Sequence, residues 1–338
     1  YTVNSQGHGP TWSNSLFEDA AEFGFGFRLA IDQQTEYARD LLRRLSGQLG
    51  DELVSALLDD RQETDEQIAR QRALVADLRG RLARIDDPEA RNLAASADYL
   101  VRRSVWSFGG DGWAYDIGFG GLDHVFASGR DVNVLVMDTE VYSNTGGQAS
   151  KATPRGAVAK FAAAGKQGRK KDLGMIAMAY GNVFVGQIAM GANPMHTIKT
   201  ILAAESYRGT SILIAFSHCI GWGIDMTTGM EHQKEAVQCG FWPLYHFDPR
   251  DEAQPFRLDS KAPKGSFQEF AMKQARFAML ARSKPEEAER LMALGQNDIL
   301  DRWRLYEQLA AINRTAGVLP EDDGNGKEKV AAGKEVKA

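Results

Sequence analysis

The sequence has few cysteines, no long apolar runs and no excess of basic residues. Only Cys219 and Cys239 occur among 338 residues, too few for a disulfide framework, which favours a reducing, cytoplasmic setting. The longest apolar runs, such as residues 175–180 and 211–216, are far shorter than the roughly 20 residues that span a membrane. The net charge is −5, with no basic stripe. We therefore expect neither a membrane nor nucleic acid as a partner.

The bulk composition is that of a soluble globular protein with a sizeable core, since 43% of the residues are hydrophobic and 25% are charged. The length suits one large domain or two ordinary ones. The chain begins with Tyr1 instead of Met, which reads as the middle of a longer sequence, and a processed end or an incomplete gene sequence would each explain it. Residues 316–338 carry charge and glycine without an apolar pattern, which predicts a disordered tail.

The first hundred residues predict helices. Residues 15–44 contain few helix breakers, and residues 51–85 read as one long charged helix with an apolar stripe at helical spacing. That stripe consists of Ile68, Val75, Leu78, Leu82 and Ile85. We expect residues 1–101 to form a helical segment that packs on the rest of the chain.

From residue 102 onward, short apolar runs alternate with helical stretches. The predicted strands are residues 104–108, 132–138, 173–180, 211–216 and 242–247. The predicted helices between them are residues 115–128, 156–164, 184–204 and 230–239. Alternation of this kind predicts an α/β fold with a doubly wound, mostly parallel sheet. Residues 266–311 return to helix, interrupted near Lys284-Pro285, so residues 102–315 form one α/β domain with C-terminal helices.

A Gly-Asp-Gly motif follows the first predicted strand and opens a helix. Gly110 and Gly112 allow the backbone to approach an anion closely, and the helix N-terminus beyond them carries a partial positive charge. Asp111 would repel a bare phosphate, but it suits a magnesium ion that lies between the carboxylate and a diphosphate. Considered alone, the tripeptide is weak evidence, because an ordinary turn is the more common explanation.

A second segment of the same kind begins after 26 intervening residues, where Thr139-Glu-Val-Tyr-Ser-Asn-Thr-Gly-Gly follows the next predicted strand. In a parallel sheet, the ends of adjacent strands bring two such loops to one edge. Thr139 and nearby backbone carbonyls can complete a shell of hard oxygen ligands. Gly-Asp-Gly followed at this distance by an Asn-type ligand is the general fingerprint of thiamine diphosphate sites, although this sequence has Thr139 where many thiamine enzymes have Asn.

The chain resembles one branch of these enzymes, the pyruvate:ferredoxin (flavodoxin) oxidoreductases. The resemblance rests on residues 109–124 and on Asp-Thr-Glu-Val-Tyr-Ser-Asn-Thr-Gly-Gly-Gln at residues 138–148. It extends to Ser-Leu-Phe-Glu-Asp at 15–19, Lys-Ala-Thr-Pro at 151–154, Ala-Asn-Pro-Met-His at 192–196 and Ser-His-Cys-Ile-Gly-Trp-Gly at 217–223. Only the charged tail carries no such match.

The resemblance implies a role for each residue of the two loops. Magnesium would be held by the Asp111 carboxylate, the Thr139 hydroxyl and the Val141 carbonyl. Asn144 matches the family's catalytic asparagine. The residues that would bind thiamine diphosphate are Gly110, Asp111, Gly112, Trp113, Thr139, Glu140, Val141, Tyr142, Ser143 and Asn144.

Cys219 matches the family's fourth ligand to a [4Fe-4S] cluster. Without the resemblance it reads as a small core residue. The other three ligands of the family are expected before Tyr1. Cys239 matches no ligand and is predicted to be a packed helix residue, and we interpret the histidines from His124 onward as structural.

The implied reaction is the oxidative decarboxylation of pyruvate to acetyl-CoA and CO2, with electrons passed through [4Fe-4S] clusters to ferredoxin or flavodoxin. In the family, the acid that activates the cofactor and the Arg that binds the substrate carboxylate come from a separate domain. We therefore expect a piece of a homodimeric oxidoreductase that acts with the remaining domains and with coenzyme A. An isolated magnesium and thiamine diphosphate module without activity is the alternative. A non-redox decarboxylase is a weaker one, disfavoured by Thr139 and Cys219.

Overall fold

The computed structural model describes residue 7 and residues 9–15, 18–59 and 61–314. The predicted tail, residues 316–338, lies outside the described residues, as do Leu16 and Phe17 of the Ser-Leu-Phe-Glu-Asp motif. No helix among the described residues is long and apolar enough to cross a membrane.

The N-terminal part is helical, as predicted. It contains α1 (Ala20–Arg44), α2 (Ser46–Leu49), α3 (Asp51–Asp59), α4 (Asp65–Leu82) and α5 (Pro88–Ser96), followed by a 3₁₀ turn at Ala97–Leu100. Their apolar faces share a hydrophobic cluster that includes Leu41, Leu42, Leu57, Val75, Leu78, Leu82 and Leu93. The predicted single helix over residues 51–85 is wrong, because Thr64 accepts a hydrogen bond from the Gln67 amide and begins a new helix there.

The sheet has six strands in the order β1-β2-β4-β3-β5-β6. The strands are β1 (Trp106–Gly110), β2 (Asn133–Asp138), β3 (Phe184–Ile188), β4 (Ser211–Phe216), β5 (Tyr245–Phe247) and β6 (Phe256–Leu258). The pairs β1–β2, β2–β4 and β3–β4 are parallel, whereas β5 runs antiparallel to both of its neighbours. The predicted mostly parallel α/β sheet is confirmed.

Helices cover the sheet and complete the core. They are α6 (Phe119–Ser128), α7 (Leu173–Met178), α8 (Pro194–Ser206) and α9 (Gly229–Gln238), then α10 (Phe267–Met272), α11 (Ala275–Ser283) and α12 (Pro285–Ala311). The predicted interruption near Pro285 is confirmed, since α11 ends at Ser283. Trp113, Trp222 and Trp242 are among the largest fully buried side chains of the core.

In the α/β part, three element predictions are wrong. Residues 173–180 contain α7 instead of a strand, because the Asp172 carboxylate accepts a hydrogen bond from the Met175 amide and caps a helix. The strand lies instead at residues 184–188, the beginning of the predicted helix over 184–204. Residues 156–164 form no helix. There Gly156 and Phe161 have positive φ of 84° and 67°, and the Val158 amide bonds the distant Arg276 carbonyl.

Candidate functional site

The two loops predicted to form a site lie side by side at the carboxyl edge of the sheet. Strands β1 and β2 are parallel neighbours with Gly110 opposite Met137. Asp111 therefore follows β1 directly beside the point where Thr139 follows β2. The sheet topology brings the two segments together as the sequence predicted.

The three oxygen atoms predicted to bind a metal meet at this edge. The Thr139 Oγ1 atom lies 2.8 Å from Asp111 Oδ1 and 3.0 Å from the Val141 carbonyl oxygen. Asp111 is 1% exposed, and its second oxygen accepts a hydrogen bond of 2.5 Å from the Ser150 hydroxyl. Burial raises the pKa of Asp111, which the hydrogen bonds from Ser150 and Thr139 partly offset.

The glycines around Asp111 differ in what surrounds them. A Cβ atom at Gly110 would meet no other atom within 4 Å, so the backbone there faces open space. A Cβ atom at Gly112 would lie 2.3 Å from the ring of Tyr142, which packs against this backbone. Gly110 is therefore the position at which a ligand can approach the chain closely, whereas Gly112 permits the two loops to pack together.

The Trp113 side chain lies in the core and not at the loop surface. It is 1% exposed, and Cβ atoms at Gly109 or Gly118 would each come within 2.2 Å of its indole. Its Nε1 atom has no hydrogen-bond partner among the described residues. Only the backbone of Trp113, in the π-helical turn Gly112–Ile117 that precedes α6, is available to a cofactor.

Glu140 also turns inward. Its φ of 60° lies in the left-handed region, and its side chain is fully buried. The carboxylate lies 2.6 Å from Arg276 and 3.3 Å from the Lys170 ammonium, while the backbone amide bonds the Asp138 carboxylate. The polar groups of Glu140 are thus engaged within the protein, and its side chain supports the loop instead of facing a ligand.

The end of the second loop is exposed. Ser143 and Asn144 are open to solvent, and the Asn144 amide makes no hydrogen bond to any residue that the structure describes. Tyr142 is half-buried, and burial together with Asp116 raises its pKa to about 12. Asn144 is therefore available to a ligand, as its predicted role requires.

A network of buried charges lies beneath the loops, and the sequence did not predict it. Asp138 is fully buried and accepts hydrogen bonds from Lys170 at 2.7 Å and from the Tyr115 hydroxyl at 2.6 Å. Burial raises the pKa of Asp138 to about 6, although Lys170 opposes the shift. The basic side chains Lys166, Lys170 and Arg276 interact with the carboxylates of Asp138 and Glu140, whereas Asp111 forms no ion pair among the described residues. Nothing in the sequence distinguishes Lys170 or Arg276 from other basic residues.

Cys219 borders the second loop. It follows β4, the other neighbour of β2, is 8% exposed and accepts a hydrogen bond of 3.3 Å from the Gly221 amide through its sulfur. In the same segment the Trp222 indole donates to the Thr139 carbonyl at 2.6 Å. Cys239 instead lies buried after α9, where burial raises the pKa of its thiol to about 11. Its predicted place as a packed residue is confirmed.

Comparison with known proteins agrees with this geometry. Residues 92–216 match the family described as thiamine pyrophosphate enzyme, C-terminal TPP binding domain. The chain is 59% identical over 92% of its length to a protein of Synechocystis sp. named as a pyruvate-flavodoxin oxidoreductase, and covers 26% of that protein. It is 53% identical over 94% of its length to the pyruvate-flavodoxin oxidoreductase of Trichormus variabilis, covering 27% of that chain.

A similar match exists to a ferredoxin-linked relative. The chain is 47% identical over 92% of its length to the pyruvate:ferredoxin oxidoreductase of Moorella thermoacetica and covers 27% of it. The chain thus spans about a quarter of the length of these relatives. Over nearly its whole length it is similar to a part of the pyruvate:ferredoxin (flavodoxin) oxidoreductases, and residues 92–216 match the thiamine pyrophosphate-binding family, in agreement with the resemblance of its motifs.

Proposed function

We propose that this chain supplies the diphosphate- and magnesium-binding half of the thiamine diphosphate site in a pyruvate:ferredoxin or pyruvate:flavodoxin oxidoreductase. The observation that carries the proposal is the meeting of the Asp111, Thr139 and Val141 oxygens at the ends of β1 and β2. A carboxylate, a hydroxyl and a carbonyl form the hard donor set that magnesium prefers.

The buried charges support a cation at this point. The Asp111 carboxylate is 1% exposed and forms no ion pair with a lysine or arginine among the described residues, and buried negative charge in excess of its partners is costly. A divalent ion held by Asp111, Thr139 and Val141 would neutralise the excess and receive the diphosphate oxygens. The open space at Gly110 would admit the diphosphate next to the backbone.

The remaining residues have complementary tasks in this proposal. Thiamine diphosphate supplies the electron sink for decarboxylation when it is bound. The exposed Asn144 amide would orient the reacting groups by hydrogen bonds. Lys170 and Arg276 would hold the second loop in place through Asp138 and Glu140.

We further propose that Cys219 is one of the four ligands of a [4Fe-4S] cluster, the other three coming from outside this chain. Its sulfur already accepts an amide hydrogen bond from Gly221. Trp222, three residues after Cys219, donates a hydrogen bond to the Thr139 carbonyl in the second loop. A cluster held there would lie close enough to the cofactor loop to accept electrons from the thiamine site.

The complete protein would then convert pyruvate and coenzyme A to acetyl-CoA and CO2, with ferredoxin or flavodoxin as the acceptor. The names of the relatives support both acceptors. We propose a homodimer that includes the remaining domains and works in the cytoplasm, in keeping with two free, buried cysteines.

The Asp111→Asn variant tests the magnesium site in the complete protein that carries this chain. The substitution keeps the shape of the side chain but removes the charge of one ligand. Magnesium-dependent binding of thiamine diphosphate should weaken by about 100-fold or more. Calorimetric titration with magnesium, and again with a chelator, measures the affinity.

The control is Asp123→Asn on α6, where Asp123 accepts a hydrogen bond from the Tyr180 hydroxyl away from the loops. This variant should bind the cofactor normally. If Asp111→Asn melts like the wild-type protein and binds thiamine diphosphate with unchanged, magnesium-dependent affinity, Asp111 is not a metal ligand and the proposal is wrong.

A further inference from the structure

A second group of possible metal ligands lies at the β5–β6 edge of the sheet, opposite the edge formed by β1. The Asp259 Oδ2 atom is 2.9 Å from His196 Nε2 and 2.8 Å from His246 Nδ1. Among the residues that the structure describes, these three form the group of histidine and carboxylate side chains that could hold a metal ion. We infer that His196, His246 and Asp259 form a zinc-binding site.

The three residues come from three elements that the fold fixes next to one another. His196 is in the first turn of α8, where its amide bonds the Asn193 side chain at 3.0 Å. His246 is the central residue of β5, and Asp259 follows β6, the antiparallel partner of β5. The Asp259 amide donates to the Leu244 carbonyl at 2.9 Å, which holds its side chain near β5.

One ring nitrogen of each histidine, Nε2 of His196 and Nδ1 of His246, already faces the Asp259 carboxylate. The Nδ1 atom of His196 is buried without a hydrogen-bond partner among the described residues, so its contacts run through Nε2. Thr200 lies one turn further along α8, with its hydroxyl 3.4 Å from the same Nε2 atom. The His196 side chain is 11% exposed and that of Asp259 is 22% exposed, which leaves little freedom to turn elsewhere.

The charge of the cluster favours a cation. No lysine or arginine among the described residues forms an ion pair with Asp259, whose recorded partners are the two histidines. The carboxylate therefore has no lysine or arginine as a permanent counter-charge. A divalent ion at the point where the three side chains converge supplies that charge and uses both imidazoles in their neutral form.

The donor types select zinc over the magnesium of the first site. Magnesium prefers oxygen ligands, whereas two imidazole nitrogens with one carboxylate oxygen suit zinc. Tetrahedral zinc with bonds of about 2.0–2.1 Å separates its ligands by about 3.3 Å. The nitrogen–oxygen distances of 2.8 and 2.9 Å need only a small outward rotation to reach this value, and water can occupy the fourth position.

The ion would fasten α8 to the β5–β6 edge of the sheet. None of its ligands belongs to the loops at residues 110–113 and 139–144. The test of the zinc site is therefore independent of the test of the thiamine site. Its expected effect is therefore on metal content and thermal stability.

The test measures zinc in the complete protein. Wild-type protein, His196→Gln, Asp259→Asn and the control His124→Gln are incubated with zinc chloride, separated from free metal by gel filtration and analysed by mass spectrometry. His124 lies on α6 against Phe25, away from the cluster. The wild type and the control should each retain about one zinc per chain. His196→Gln and Asp259→Asn, the two variants of the proposed zinc ligands, should lose it. Zinc should also raise the melting temperature of the wild type and not that of the cluster variants.

Zinc K-edge absorption of the wild-type protein adds a measurement that needs no variant. Two imidazoles without sulfur are expected around the metal. The inference is overturned if the wild type retains no zinc, if the cluster variants retain as much zinc as the wild type, or if the absorption edge shows thiolate ligands.

Discussion

Glu140 illustrates how a single residue carries the shape of the candidate site. A non-glycine residue with φ of 60° costs about 1–3 kcal/mol and persists only where its surroundings hold it. Here Arg276 and Lys170 hold the carboxylate, and Asp138 holds the amide. Because Glu140 lies between Thr139 and Val141, the buried ion pairs fix the two neighbouring oxygens that would bind magnesium.

Replacing Arg276 by Met should therefore be strongly destabilising. Arg276 is 4% exposed and Glu140 is fully buried, so the variant leaves a carboxylate without its closest partner. Loss of one member of a buried pair costs about 3–5 kcal/mol. Urea unfolding of the complete protein, monitored by circular dichroism, measures the free energy of unfolding.

Two further variants distinguish the loss of the Glu140–Arg276 ion pair from a general packing effect of the substitution. The double variant Glu140→Gln/Arg276→Met should be more stable than Arg276→Met alone, since no charge is left unpaired. Arg290→Met removes the exposed pair with Glu287 and should change the free energy by less than about 1 kcal/mol. A loss below about 1 kcal/mol in Arg276→Met would mean that the pair does not support the loop.

The sequence predicted which loops lie together better than it predicted the surroundings of these loops. Asp111 and Thr139 could be placed side by side because they follow predicted strands at a spacing that topology explains, whereas Val141 was added by the family resemblance. The inward side chains of Trp113 and Glu140 could not be predicted, because the pattern places a residue in a loop without giving its direction. Lys170 and Arg276 reach the loops only through tertiary folding, from segments that carry no motif.

At the scale of elements, periodicity failed where local hydrogen bonds decided the structure. Residues 173–178 and 184–188 are both short apolar runs, and such runs do not distinguish a strand from a buried helix. Asp172 caps the first run as a helix, while the second is buried along its whole length between β4 and β5. Strands β2 and β4 were predicted correctly, and each has two β-branched residues at alternate positions, Val134 and Val136 in β2 and Ile212 and Ile214 in β4.

The helical N-terminal segment offers a test of such local control. Thr64 and Gln67 exchange hydrogen bonds at the start of α4, and this capping box separates α4 from α3. Thr64→Ala should lower the free energy of unfolding by about 1 kcal/mol, because an amide at the helix end loses its acceptor. Thr64→Ser keeps the hydroxyl and should stay close to the wild type. Thermal unfolding of the wild type, Thr64→Ala and Thr64→Ser measures this difference in stability. Equal melting temperatures would show that the cap contributes nothing.

At the scale of the whole molecule, the N-terminal helices among the described residues enclose a hydrophobic cluster of their own, separate from the clusters around the sheet and the C-terminal helices. The division of the chain at residue 101 remains a prediction. The chain also spans only about a quarter of its relatives. The acid and the Arg expected to complete the thiamine site would therefore have to come from segments beyond it.

The cluster proposed at Cys219 makes this dependence measurable. A [4Fe-4S] cluster needs four protein ligands, usually cysteine thiolates, whereas this chain has two cysteines and only Cys219 borders the cofactor loop. The 338-residue chain, purified alone without oxygen, should retain no stable cluster and should not oxidise pyruvate.

In the complete protein, Cys219→Ser should lose the iron of one cluster and slow reduction of the acceptor more than release of CO2. Cys239→Ser, which alters the other buried cysteine, should keep its iron and its rate. Anaerobic iron analysis and single-turnover kinetics give both quantities. A full iron content and normal electron transfer in Cys219→Ser would make Cys219 a core residue, and an isolated chain that reduces ferredoxin with pyruvate would show that the other domains are not required.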